Sequence, residues 1–320
     1  MKKVFVTGSS GLLGTNLIEE LLDNDFVVKG LVRDPQNYSG KKSPELELIR
    51  GSIMEELDAK MEGCDFVIHL AAETAQNIPD YNHYHKINVE GTMNVLEATL
   101  KNGIRKLVYV STANTVSEDP SEEMKFPFTR SFYAQSKLGA EKALLEKKGE
   151  LEVVIANPTF MLGAYDSKPT SGKIILMGMD RKFIFHPPGG KNFVHVRDVA
   201  KGLISCLEHG INGERYVLAG ENLKYRQFFE RLTALTNQQS MLIEVPKSLL
   251  LLGGYAGDLL LKMGFRTDIN SVNMHSLSMN NYYENQKSKE ELQIDFQNTD
   301  AAIIDSLAYL TKMKNSGLAG

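Results

Sequence analysis

Tyr133 and Lys137 stand four residues apart in Tyr133-Ala134-Gln135-Ser136-Lys137, a stretch that reads as helix. That spacing puts both side chains on one helical face, aimed at one site. Ser111 and Thr112 close an apolar run that reads as a strand over 107–111. The set suits proton exchange with a substrate oxygen, with Tyr133 as the exchanging group. Thr112 would hold that oxygen by a hydrogen bond, with Ser111 as its substitute. A free tyrosine titrates at about pH 10, and bringing it near 7 takes about 4 kcal/mol. One unit charge at about 4 Å, in an effective dielectric of about 20, supplies about that amount. Lys137 is therefore a sufficient cause in principle. A lone Tyr/Lys pair on a helix is more often an ordinary surface pair, so the assignment depends on what surrounds it.

A second motif, Gly8-Ser9-Ser10-Gly11-Leu12-Leu13-Gly14, joins an apolar strand at 3–7 to a helical pattern carried by Leu12, Leu13, Leu17, Ile18, Leu21 and Leu22. The first glycine permits a tight turn and the second lets backbone N–H groups approach a pyrophosphate. The third permits close packing of helix on strand. At the first strand-to-helix junction this spacing points to a dinucleotide, the alternative being a purely structural turn. Dinucleotide sites for NAD carry an acid on the ribose at the end of the next strand. Here Val32 takes that place, followed by Arg33 and Asp34. A guanidinium matches a 2′-phosphate, and Lys41 and Lys42 lie in the loop beyond. This favours NADP(H), while Asp34 leaves NAD(H) possible. A bound nicotinamide ring, being positive, would assist Lys137.

Positioning these residues takes a repeated β-then-α order. Strands are predicted at 3–7, 26–32, 46–49, 66–70, 107–111, 153–157 and 216–218, with helices at about 86–101, 132–147 and 198–209. Such an order gives a doubly wound parallel sheet of about seven strands, a Rossmann α/β fold with helices on both faces. Residues 1–163 would form the NAD(P)-binding domain, with 193–220 returning to it. Residues 164–192 and 221–320 would form a lid and a smaller, mostly helical substrate domain, with helices at 227–235, 249–263 and 301–313. Pro169, Gly172, Pro187, Pro188, Gly189 and Gly190 mark 164–190 as a long loop, expected to close over the substrate.

Composition bounds the class. The 320 residues carry 36 Lys+Arg against 40 Asp+Glu, a net charge of -4 that gives no basic surplus for nucleic acid. Two cysteines, Cys64 and Cys206, are too few for a disulfide framework or a zinc site, so a reducing cytoplasm is expected. His83 and His85 lack a second ligand cluster, and no metal is expected. The leucine-rich stretch 249–261 contains Gly253, Gly254, Gly257 and Asp258 and cannot span a bilayer. It reads as a buried helix or a pocket wall. His195 and Asp198 come without a G-x-S-x-G elbow, which leaves them a structural role rather than a hydrolase one.

Taken in order, Gly8-x-x-Gly11-x-x-Gly14, His69-Leu70-Ala71-Ala72, Asn88-Val89-x-Gly91-Thr92, Ser111-Thr112, Tyr133-x-x-Ser136-Lys137, Asn157-Pro158 and His195-Val196-Arg197-Asp198 resemble the extended short-chain dehydrogenase/reductases, the NAD-dependent epimerase/dehydratase family. The resemblance covers about residues 1–220. Within the family the chain is similar to the dihydroflavonol-4-reductase-like branch. Through Lys168-Pro169-Thr170-x-Gly172 and 213–222 it also resembles hopanoid-associated sugar epimerases.

That resemblance implies a Thr112/Tyr133/Lys137 triad and a homodimer formed through the helix bearing Tyr133. The cofactor set would be Gly8, Ser10, Gly11, Leu12, Leu13, Gly14, Arg33, Ser52, Ile53, Leu70, Ala71, Ala72, Asn88, Ser111, Tyr133, Lys137, Pro158 and Thr159. Glu73, Thr74, Asn157 and Lys191 would face the substrate. Two positions depart from the family pattern. Ser52-Ile53 stands where an adenine-contacting Asp is usual, and Lys191 stands where nucleotide-sugar epimerases carry a diphosphate-binding arginine. The expected activity is reduction of a small-molecule carbonyl by NADPH with a proton from Tyr133. An NAD-dependent sugar or nucleotide-sugar epimerase or dehydratase is the alternative. A non-catalytic NADP(H) sensor is a second, although a sensor has no use for a proton-transfer tyrosine.

Overall fold

The structure, a computed structural model, describes residues 1–117, 124–265 and 267–315. In chain order the strands are β1 (Lys3–Thr7), β2 (Val27–Val32), β3 (Leu46–Arg50), β4 (Phe66–His69), β5 (Lys106–Val110), β6 (Glu152–Pro158), β7 (Phe160–Leu162), β8 (Phe183–His186), β9 (Gly190–His195), β10 (Arg215–Leu218), β11 (Glu221–Lys224), β12 (Met241–Glu244) and β13 (Asn280–Asn281). Seven of them form one sheet in the order β10-β6-β5-β4-β1-β2-β3, every neighbouring pair parallel. This is the expected doubly wound sheet. The direction of winding reverses between β1 and β4, and the carboxyl ends on either side of that point frame a crevice.

Burial on both faces explains the strands. Every residue of β4 and β5 is buried, the mark of a parallel sheet covered by helices on each side. Leu17, Ile18 and Leu21 of helix Leu12–Asp23 and Val199 and Leu203 of helix Val196–Glu208 cover one face. Val95 and Leu96 of helix Gly91–Lys101 and Ala140 and Leu144 of helix Phe132–Leu145 cover the other.

The smaller part holds more strand than the sequence suggests. β9 pairs antiparallel with β11 and parallel with β7 and β13, and β8 pairs parallel with β12. Its core is aromatic: Phe193 of β9 stacks on Phe228 of helix Tyr225–Leu235 with ring centroids 4.5 Å apart. These strands span two to six residues, too few to show a period without their partners. The chain rejoins the large sheet with helix Val196–Glu208, so 193–195 belong to β9 and the small sheet. Helix Lys247–Lys262 is a cavity wall rather than a buried helix: Leu261 lines a cavity, while Leu249, Leu252 and Leu259 are exposed.

Candidate active site

At the carboxyl end of β1 the three glycines do three different things. Gly8 takes φ +70°, and a side chain there would meet the backbone of Leu70 and Ala71. A Cβ on Gly14 would lie 2.2 Å from the Gly8 carbonyl oxygen, so the first helix is pressed onto its own entry loop. Gly11 is exposed, with nothing nearer than 3.5 Å to an added Cβ. It caps helix Leu12–Asp23 without a side-chain hydrogen bond, which leaves the first-turn N–H groups of Leu12 and Leu13 free of any side-chain cap. A tight loop, an open middle glycine and a side-chain-free helix start form a cradle that suits a pyrophosphate.

Beside this loop, the exit of β4 is fixed by His69. The Thr92 hydroxyl donates to the Asn88 carbonyl oxygen (2.6 Å), so toward His69 it accepts, from Nε2–H (2.9 Å). Nδ1 is then the acceptor of the Thr7 hydroxyl proton (2.6 Å). Thr7 Oγ1 in turn accepts the N–H groups of Leu70 and Ala71 at 3.1 and 3.0 Å. Burial holds the imidazole neutral, its pKa pushed down to about 3. The Leu70-Ala71 backbone is thereby pinned against the glycine loop. Asn88, in the π-helical turn His85–Glu90, extends the clamp. Its amide pairs with the backbone of Glu73 on both sides and donates to Ser136 Oγ on the tyrosine helix.

Helix Phe132–Leu145 starts at Ser131, whose hydroxyl caps the Ala134 N–H. This sets Tyr133 in the first turn and Lys137 one turn on. The Tyr133 hydroxyl is hydrogen-bonded to the Thr112 side chain, bringing those two members of the expected triad together. Lys137 is fully buried; its ammonium donates to the Val110 carbonyl (2.8 Å) and lies 4.1 Å from the Tyr109 ring centroid. Ser111, also buried, leaves its hydroxyl without a hydrogen-bond partner.

In the cofactor-free protein burial dominates the electrostatics of the tyrosine and the lysine. Burial pushes Tyr133 up to about 12, and the Thr112 hydrogen bond offsets only part of that rise. Burial likewise pushes Lys137 down to about 7, with Glu141 pulling the other way. Desolvation is the largest influence on Tyr133 in the cofactor-free protein, and it favours the protonated phenol. The buried lysine has a thermodynamic signature. The folded protein releases this proton at about pH 7, whereas an ordinary lysine holds it to 10.5. The unfolded chain thus binds more protons between those values, and stability from this group rises with pH from about 7 to about 10.5. Lys137→Met is therefore expected to raise the melting temperature of the cofactor-free protein at pH 6, with the gain gone near the upper value. Melting curves at the two pH values check this; a gain that does not shrink with pH contradicts it.

Glu141, which sequence reasoning passed over, is fully buried one turn beyond Lys137. Its carboxylate accepts from Thr115 Oγ1 (2.7 Å), from Asn157 Nδ2 (3.0 Å) and from Arg215 Nε (2.7 Å). Asn157 also donates to the Thr112 carbonyl. This network ties β6, β10 and the tyrosine helix to the turn that carries Thr112. Asn157, expected at the substrate, is fully buried and braces this network through its Nδ2, while its Oδ1 has no hydrogen-bond partner. A buried glutamate at a four-residue step from Lys137 was the signal available for it.

Other expected residues divide. Thr159 directly follows the carboxyl end of β6 and donates its hydroxyl to Asn192 (2.6 Å). Pro158 ends β6. Lys191 has its ammonium 4.1 Å from the Phe160 ring centroid, with burial pushing it down to about 8. Glu73 accepts the Ala75 N–H and pairs with His83, while Thr74 is exposed. His195 Nδ1 caps the Arg197 N–H, and Asp198 holds Gln297 through two hydrogen bonds, so both serve the scaffold.

The cavity next to Tyr133 has apolar walls at Ile78, Pro79, Phe132, Leu261 and Val272 and polar ones that include Gln76, Arg130, Asp258 and Asn273. No residue of 164–190 is among its walls. That segment, expected as the lid, is fastened along the first helix: Ala164 O accepts from Asn16, and Tyr165 donates to Glu19. At the other end of the crevice, Arg33, Arg50, Gly51, Ser52 and Glu55 line a second pocket, with Glu55 also paired to Lys60. β2–β3 pairing sets Val32 opposite Arg50, which brings the two arginines to one edge. Arg50 was not anticipated, because it follows a different strand. Ile53 turns into the core against Gly91. Asp34 accepts the Gln36 N–H and caps the turn Pro35–Asn37.

Fold and site together define an NAD(P)-dependent oxidoreductase of the extended short-chain type. Residues 4–219 match the NAD dependent epimerase/dehydratase family, and the chain belongs to it. It is 29% identical, over 95% of its length and 93% of the relative's, to a Synechocystis protein named for dihydroflavonol 4-reductase. It is 32% identical to the 4-hydroxy-2-methyl-3-oxo-4-farnesyl-3,4-dihydroquinoline-1-oxide ketoreductase of Stigmatella aurantiaca, over 76% of this chain and 75% of that one. Among solved structures, that of gox2253 superposes with a TM-score of 0.81 at 25% identity, with full coverage of both chains.

Proposed function

We propose that the protein reduces a ketone or aldehyde on a partly apolar substrate, using NADPH, with Thr112, Tyr133 and Lys137 as its reactive set. The observation that carries this reading is the pocket holding Arg33 and Arg50 together, while the acids beside them are engaged elsewhere: Asp34 caps a turn, and Glu55, which also lines the pocket, pairs with Lys60. A phosphate monoester carries about -1.5 to -2 charges, and two guanidiniums match it in charge and geometry. Gly8, Ser10, Gly11, Leu12, Leu13 and Gly14 would hold the pyrophosphate, with Ser52 and the Leu70-Ala71-Ala72 backbone alongside. When bound, the nicotinamide supplies hydride.

The protein's own groups do the remainder. Thr112 and Tyr133 hold the carbonyl oxygen, and Tyr133, protonated at neutral pH, gives that oxygen its proton. Lys137 supports the phenolate left behind. Ile78, Pro79, Phe132 and Leu261 shed water from the reacting centre and suit an apolar substrate body. The two relatives named for ketone reduction support the same direction.

Two measurements test this. Each charge-assisted hydrogen bond is worth about 1.5–3 kcal/mol, so the Arg33→Ser/Arg50→Ser variant is expected to raise KM for NADPH at least about tenfold while leaving that for NADH nearly unchanged. An unaltered ratio of the two constants sinks the NADP assignment. Net consumption of NADPH with a panel of aldehydes and ketones tests the reduction itself. Interconversion of sugar isomers with no cofactor consumed would identify an epimerase instead.

A further inference from the structure

The wall of the Tyr133 cavity carries one cation, Arg130, which the proposed chemistry does not use. Arg130 closes the short turn Phe128–Arg130, directly before Ser131, the cap of the tyrosine helix. Three residues of chain span at most about 11 Å, so Arg130 and Tyr133 serve one small space. The guanidinium lies 5.6 Å from the Phe126 ring centroid, and that ring packs edge-on against His275 at 5.5 Å. His275 belongs to helix Ser271–Leu277, whose Val272 and Asn273 are also cavity walls. Arg130 is thereby held at the rim, between the start of the tyrosine helix and helix Ser271–Leu277.

Among the described residues Arg130 takes part in no ion pair, and its contact is the Phe126 ring. The acids around the cavity are engaged elsewhere. Asp258, also in the wall, accepts the Ser271 N–H (2.9 Å) at the start of helix Ser271–Leu277. Asp268, just outside, accepts from Asn77 (2.9 Å) and pairs with Lys173 (3.2 Å). The amides of the wall also donate within the protein, Asn270 to the Gln76 carbonyl oxygen and Asn273 to that of Asp268. A guanidinium offers a planar fork of donors that matches a carboxylate. A phosphate monoester, at about -1.5 to -2 charges, calls for a second cation, as at Arg33 and Arg50, and no second cation lines this cavity.

We infer that Arg130 binds a carboxylate of the substrate, which makes that substrate an oxo acid. Its carbonyl would stand at Tyr133, its apolar body along Ile78, Pro79 and Leu261, and its carboxylate on the guanidinium. Arg130 is exposed, so the charged end stays near water while the apolar body enters the cavity. The anion site stands on the unpaired arginine; that its ligand is reduced rests on the reductase reading.

Binding is read first without turnover, by calorimetry of the full chain with decanoate and with decanol. Wild type is expected to bind the carboxylate at least about tenfold more tightly than the alcohol, as a charge-assisted hydrogen bond provides. Arg130→Gln is expected to bind the two alike at an unchanged melting temperature. Arg130→Lys, a charge without the fork, is expected to keep part of the preference. Wild type that does not distinguish carboxylate from alcohol overturns the inference, and so does a preference that Arg130→Gln retains. Turnover is read next, with straight-chain ω-oxo acids against their methyl esters and NADPH. Arg130→Gln is expected to lower the acid-to-ester ratio of kcat/KM at least about tenfold. If the carboxylate preference depends on Arg130 but neither aldehyde consumes NADPH, the anion site stands and the reductase reading falls. If wild type reduces acids and esters alike, the reductase reading stands and the inference falls.

Discussion

Tyr133→Phe is expected to cut turnover by about a hundred- to ten-thousand-fold, the usual size of a proton-transfer contribution, while cofactor affinity stays within about twofold. The ring is half-buried in the first turn of its helix and packs equally well without its hydroxyl. What is lost is the proton that the substrate oxygen must receive and the hydrogen bond to Thr112. The glycine loop and the Arg33/Arg50 pocket lie at other strand ends and are untouched. Steady-state kinetics together with a cofactor titration separate the two effects. Activity above roughly a tenth of wild type would remove Tyr133 from the chemistry. The direction of the pKa matters as well. Burial favours the protonated phenol, so a spectrophotometric titration of the cofactor-free protein should show no ionisation of Tyr133 between pH 6 and 9.

Gly14→Ala and Gly11→Ala form the second contrast, because their environments differ although the motif treats them alike. At Gly14 the new methyl would stand 2.2 Å from the Gly8 oxygen and 2.8 Å from Ser9 Cα, both backbone atoms that cannot step aside. Overpacking of this kind costs about 1–3 kcal/mol or more, and Gly14→Ala should melt several degrees below wild type and lose its cofactor. At Gly11 the nearest atom is 3.5 Å away, so the fold accepts alanine. The methyl then occupies the approach of the pyrophosphate, and cofactor Kd is expected to rise at least tenfold at an unchanged melting temperature. Thermal melts with and without NADPH resolve this, since a bound ligand raises stability by mass action. A Gly11→Ala protein that binds as wild type does would dissociate the glycine loop from the dinucleotide.

The large sheet was legible because fully buried parallel strands are unbroken apolar runs, as in β4 and β5, and need no partner to be seen. The glycine loop was legible for a related reason: a close backbone approach admits one residue type. Glu141, Arg50 and Arg215 escaped because their roles arise from pairing across strands. Arg50 becomes relevant only when β3 aligns with β2, and Arg215 only when β10 docks on β6. The tyrosine's pKa escaped because desolvation depends on how completely a pocket closes, which side-chain spacing does not report.

Helix Lys247–Lys262 shows the opposite failure. Its leucines gave the period correctly, but the period of an apolar stripe says nothing of which side is covered. Gly254 and Gly257 on the other side carried that information, since small residues let the helix sit directly on the backbone of Ile269 and Ser271. In the segment 164–190 the prolines and glycines mark an irregular path that is interrupted by helix Lys173–Gly178 and by β8, and Asp166 holds its first turn by accepting the N–H groups of Thr170 and Gly172.

Net hydride transfer to a carbonyl carbon is the centre of the account. Its most direct test is a single turnover with NADPH carrying deuterium at the transferable position of its nicotinamide ring. The carbonyl panel serves as acceptor, and the product is read by mass spectrometry. The predicted result is an alcohol with one deuterium on the former carbonyl carbon and one equivalent of oxidised cofactor, absent with Tyr133→Phe. A turned-over sugar isomer without deuterium, and with the cofactor unchanged, would contradict it.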